Sequence, residues 1–116
     1  RWEGMVAQRQ FAIDSCADAA WVLLIDSDES VEPELAAAMR EALDRRVADD
    51  IGGFELNRKL WFRGAWLHHA FQPEWRLRLV RPHAARAIGR PPHDAVAVTG
   101  RVLPLRGDLI RASTDA

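Results

Sequence analysis

Hydrophobic positions along the chain change rhythm twice. Trp2, Met5, Val6, Ala12, Ile13, Cys16, Ala17 and Ala20 share one side when spaced at ~100° per residue, which predicts an amphipathic helix over residues 2–19. Arg9 sits in the middle of that stripe, and Phe11 points nearly the opposite way. Trp21-Val22-Leu23-Leu24-Ile25 is then a continuous apolar run, ended at once by Asp26-Ser27-Asp28-Glu29-Ser30. It predicts a strand buried on both faces, as in a parallel sheet covered by helices. Pro33 suits the first position of a second helix, with Glu32 and Glu34 near its positive end. Leu35, Met39, Ala42, Leu43 and Val47 carry that helix's apolar stripe to residue 48.

Gly52-Gly53 breaks the pattern, and the period drops to two. Phe54, Leu56, Leu60 and Phe62 alternate with Glu55, Asn57, Lys59 and Arg63, although Arg58 and Trp61 blur the faces. Residues 76–80 repeat the alternation, and Ala95–Val98 ahead of Thr99-Gly100 predicts a short strand and turn. Residues 64–75 and 81–94, rich in Pro, His and Trp, read as loops. The order helix, buried strand, acidic turn, helix, then strands predicts an α/β fold.

Composition narrows the classes. At 116 residues, 48% hydrophobic and 28% charged, the chain suits one compact domain and excludes a disordered or fibrous one. It opens on Arg1, already inside a helical pattern, and is expected to be a fragment of a larger domain. The single cysteine, Cys16, excludes an internal disulfide and a cysteine-based zinc site; on the apolar stripe it reads as inert core. The longest apolar run, residues 19–25, is far below the ~20 residues that cross a bilayer.

The net charge of −1 hides a split. Residues 1–50 carry twelve Asp and Glu against five Arg, whereas residues 51–116 carry five Asp and Glu against eleven Lys and Arg. Such an asymmetry sets a cation near one side of a cleft and an anionic substrate near the other, or else is a solvated surface. With the total near zero and no recognised module, nucleic acid is not an expected partner.

The acidic turn is the sharpest candidate site. Asp26 and Asp28 follow the end of a buried strand, where ligands of open α/β sheets bind. Two carboxylates one residue apart can converge on Mg²⁺ or Mn²⁺, whose remaining positions go to water and substrate phosphates; acids ahead of a helix are also favoured by capping alone. Arg9, unable to lose its charge within an apolar stripe, either pairs at an edge or contacts a ligand. Adjacent His68 and His69 point opposite ways in an extended segment and cannot share a metal. Trp61, Trp66 and Trp75 are core fillers or sugar-stacking rings, and Arg76, Arg78 and Arg81 face either a phosphate-bearing acceptor or water.

Residues 8–14 (Gln-Arg-Gln-Phe-Ala-Ile-Asp), 21–29 (Trp-Val-Leu-Leu-Ile-Asp-Ser-Asp-Glu) and 33–35 (Pro-Glu-Leu) together resemble family 2 glycosyltransferases of the GT-A fold. Residues 75–81 (Trp-Arg-Leu-Arg-Leu-Val-Arg), 91–94 (Pro-Pro-His-Asp) and 105–109 (Leu-Arg-Gly-Asp-Leu) are similar to segments of the branch that builds lipopolysaccharide cores, its glucosyl- and heptosyltransferases. The resemblance implies a partial GT-A domain over residues 1–116, a mixed sheet flanked by helices, without its amino-terminal nucleotide-binding part. Residues 1–50 would form the helix, strand, Asp-x-Asp and helix part, and residues 51–116 a strand-rich acceptor-side part. The implied activity is metal-assisted, inverting transfer of a sugar from a nucleotide-diphosphate sugar to a cell-envelope glycan or glycolipid.

The same resemblance assigns Asp26 and Asp28 to the metal (Mg or Mn), with Glu29 supporting the loop, and Arg9, Asp26 and Asp28 to the donor. It places His93, Trp75 and Arg78 on the acceptor side and makes Asp94, then Glu74, the candidate general base. The implied location is the cytoplasm, with peripheral contact at the inner face of the membrane. Gln10 stands where the family has Asn, Asp94 where the branch has Glu, and Arg111 in a closing run where the branch has a histidine. The other expectation is a truncated, non-catalytic relative that keeps the fold for binding or assembly.

Overall fold

The computed structural model describes residues 5–62, 65–67, 74–89 and 95–113. Among the described residues, two helices, α1 (Met5–Ser15) and α2 (Pro33–Asp44), accompany eight strands: β1 (Val22–Leu23), β2 (Glu29–Val31), β3 (Ile51–Phe62), β4 (Ala65–Leu67), β5 (Trp75–Val80), β6 (Ala85–Ile88), β7 (Ala95–Val98) and β8 (Arg101–Ser113). One short 3-10 turn, Pro82–Ala84, precedes β6. The class is α/β, as the patterning predicts. Six strands form one sheet in the order β1-β5-β3-β8-β2, with β4 pairing β3, and β6 and β7 form a separate hairpin. The larger sheet is mixed. β1 and β5, and β2 and β8, run antiparallel, while β8 follows β3 at a constant offset of 51 residues, seen in the Arg101–Asp50 and Asn57–Asp108 bonds.

The chain divides into two compact units, each drawing on both sequence halves: residues 1–24, 49–54 and 77–103, and residues 25–48, 55–76 and 104–116. In the first unit, Ile13, Val22, Val80, Ala85 and Val96 form a buried cluster on which Leu24, Leu77 and Val98 pack. Trp21 meets Phe54 with ring centroids 5.3 Å apart, and the Arg81 guanidinium lies 4.4 Å from the Trp21 ring centre. In the second, Leu35 and Ala38 of α2 are buried, as are Leu56 and Leu109.

Several expectations are corrected. The first helix ends at Ser15, where the Ser15 hydroxyl donates to the Phe11 carbonyl. Its inner face is Val6, Arg9, Gln10 and Ile13, and Cys16 beyond it is exposed instead of buried. The reason is Gln10, whose Oε1 accepts the Ala87 N–H of β6 at 2.9 Å and turns a polar side chain inward. The 21–25 run is no doubly buried parallel strand: only Val22 and Leu23 pair, antiparallel to Val80 and Leu79, at one end of the strand order, and Ile25 is exposed. Its apolar character is satisfied by side-chain packing of Trp21, Val22 and Leu24 in the first unit. The second helix stops at Asp44, not residue 48, because Arg45 is extended.

Gly52-Gly53 lies inside β3 and is no break. A Cβ at Gly52 would collide with the Thr99 carbonyl, and one at Gly53 would come 2.7 Å from Leu77 Cδ1, so the pair admits close neighbours. β4 and β6 occupy segments expected as loops, and β2 and the long β8 are strands that the patterning does not show. Ala95–Val98 is a strand as expected, followed by Gly100 at φ 95. No helix among the described residues is long and apolar enough to cross a membrane.

Candidate functional site

The acidic turn lies in the second unit and is closed at both ends by one residue. The Glu29 N–H donates to the Asp26 carbonyl at 3.0 Å, and the Asp26 N–H returns a bond to Glu29 Oε1 at 2.8 Å. Asp26 therefore begins a β-turn and Asp28 is its third residue, positions where Asp is at home. The Glu29 side chain has no exposed surface, and its second oxygen meets Arg58 Nη1 at 3.4 Å. A buried carboxylate needs such partners to stay charged.

Arg58 joins that turn to Glu74, the residue before β5. Its Nη2 and Nε reach the two Glu74 oxygens at 2.7 and 3.1 Å, and Arg76 Nη2 reaches Glu74 Oε1 at 2.6 Å. Burial raises the Glu74 pKa, but the hydrogen bonds from Arg58 and Arg76 outweigh it and bring the carboxyl down to about 2. Hydrogen bonding to Glu74 likewise raises Arg58 above its usual value. So acidic a carboxyl, gripped by two guanidinium groups, is a weak proton acceptor at neutral pH. Alongside, Asp108 binds Lys59 Nζ at 2.7 Å and Asn57 Nδ2 at 3.2 Å, while its N–H donates to Glu32 Oε1 at 3.1 Å. These bonds hold the start of α2 and the middle of β8 in place behind the turn.

On the other side of the turn, β2 pairs with β8 so that Glu29 faces Arg111, and the Ala112 N–H donates to the Asp28 carbonyl at 2.9 Å. Arg111 Nε then reaches Asp28 Oδ2 at 3.0 Å, with both side chains exposed.

The sequence-derived candidates are thus distributed unevenly. Asp26, Asp28, Glu74 and the exposed Trp75 belong to the second unit. Arg9 lies on the inner face of α1, in the first unit, where Arg78 is only 4% exposed and donates to the Leu24 carbonyl at 3.2 Å. Arg81 Nε is bound to the Ile51 carbonyl at 2.7 Å. His93, Asp94, His68 and His69 lie outside the described residues. Patterning misses Arg58 as an organiser, although the signal is present: it interrupts the apolar register of Phe54, Leu56, Leu60 and Phe62.

A groove of about 560 Å³ in the first unit, lined by Val6, Ala7, Gln10, Ala85, Arg86 and Ala87, contains no carboxylate. The acidic turn therefore remains the chemically richer place. Among the described residues no group of three His, Cys, Asp or Glu side chains converges as a metal cage. Asp26 and Asp28 thus supply two carboxylates from one turn closed by Glu29, and Asp28 Oδ2 is engaged by Arg111. No family model matches the chain, and no solved structure gives a significant match.

Proposed function

We propose that the chain carries the cation and diphosphate turn of a metal-assisted, inverting sugar transferase of GT-A type, acting on a nucleotide-diphosphate sugar and a cell-envelope glycan of the lipopolysaccharide kind. The observation that supports this reading is the Asp26–Asp28 turn, whose two carboxylates are presented by a buried, ion-paired Glu29. A bound Mg²⁺ or Mn²⁺ would neutralise the departing diphosphate. Glu29 fixes the turn's backbone so that little reorganisation is needed when the donor arrives. Trp75, with its exposed ring, is the acceptor-side surface of this reading, whereas Arg78 is engaged inside the fold and is left out of it. The base of this reading is Asp94, the first candidate by resemblance; the second, Glu74, is brought down to about 2 by Arg58 and Arg76 and is not given that role.

A second reading has one observation in its favour. Arg111 already neutralises Asp28, as a non-catalytic relative retaining the fold for binding would allow. Mn²⁺-dependent binding of a nucleotide-diphosphate sugar, followed by calorimetry, separates the two. The transferase reading expects binding that vanishes without metal and in Asp28→Ala. Binding indifferent to metal and to Asp28 contradicts it.

A further inference from the structure

The geometry points to Arg111 as a tethered counter-cation, seated on Asp28 and displaced by a divalent cation. This rests on the reading of the acidic turn as a metal site. Two features of the fold make the contact more than a chance surface pair. The β2–β8 register sets Arg111 directly opposite Glu29, and the Ala112 bond to the Asp28 carbonyl fixes the backbone on both sides. The guanidinium is thus carried to Asp28 by the sheet itself, and only its side chain must be ordered.

The pair is also exchangeable. Asp28 and Arg111 retain 42% and 45% exposure, and ion pairs that open to water are weak. Glu29, which clamps the same turn, is buried and engages Arg58 instead. Loss of Arg111 from Asp28 therefore leaves the turn's shape intact and frees one carboxylate oxygen, Oδ2, the atom a cation would take. A positive charge resting on that oxygen opposes a second one through Coulomb repulsion and must move first. Arg111 would then set the cation concentration at which the turn loads.

Mn²⁺ binding to the chain, read from the loss of the free-ion paramagnetic resonance signal, tests this with wild type, Arg111→Gln, Asp28→Asn and the double variant. Arg111→Gln is expected to bind Mn²⁺ roughly two- to tenfold more tightly than wild type, and Asp28→Asn to remove that gain. Saturating Mg²⁺ should also move the Arg111 Nε–H resonance to the position of a solvated arginine. If wild type and Arg111→Gln bind with equal, Asp28-dependent affinity, or if the Nε–H resonance stays fixed as Mg²⁺ loads, the counter-cation role is overturned and the metal reading stands. If no protein shows Asp28-dependent binding, the metal reading falls and the counter-cation with it.

Discussion

Glu29 is fully buried yet needs its charge, because Arg58 on one side and the Asp26 N–H on the other both depend on it. Removing one partner of a buried pair costs more than the pair contributes, since the other is left uncompensated. Glu29→Ala should therefore destabilise the fold by about 3 kcal/mol in urea melts, the low end of such effects because Arg58 keeps Glu74. Glu74 itself makes stability pH-dependent. Its carboxyl titrates near 4.5 when unfolded and near about 2 when folded, so the unfolded chain binds the proton first. Its contribution is complete above pH 4.5 and is lost as pH falls towards 2. Melts of wild type and Glu74→Gln across that window should converge as the pH drops; a constant gap would show that the pairing with Arg58 and Arg76 does not govern the acid limb.

At the scale of elements, what was legible depended on whether side-chain pattern or backbone contact decided the outcome. α2 begins at Pro33 and buries Leu35 and Ala38, as its stripe indicates. β7 and the Thr99-Gly100 turn follow equally directly. β8 is invisible to periodicity because Pro104 and Gly107 interrupt it, although Pro104 lies outside the Leu109–Arg111 stretch that pairs with β2. Gly107 has φ 91, and a Cβ there would collide with the Leu35 backbone at the start of α2. Gly107→Ala should thus cost about 1–3 kcal/mol, measurable as a lowered urea midpoint at unchanged slope; an unchanged midpoint would mean that α2 can retreat freely. In α1 the misreading has a different origin. Ala and Cys fill the apparent stripe without being needed for packing, whereas Gln10 turns inward for a single strand N–H.

At the scale of the molecule, acidic residues of the first sequence half and basic residues of the second meet within each unit among the described residues. Asp28, Glu29, Glu41 and Asp50 from the first half pair with Arg111, Arg58, Arg106 and Arg101 from the second, each pair inside one unit. Much of the apparent dipole along the chain is a record of which strands end up adjacent. The acidic turn was legible because it is contiguous in sequence. The pairing of its supports was not, because Arg58 and Arg111 lie 29 and 83 residues from the turn residues they meet. The central claim, that this turn holds a divalent cation for a diphosphate, is tested most directly by calorimetry with inorganic diphosphate and Mg²⁺. The account expects saturable, Mg²⁺-dependent binding that disappears in Asp26→Asn/Asp28→Asn and survives in Asp44→Asn. Equal binding by the double variant, or none by wild type, would contradict it.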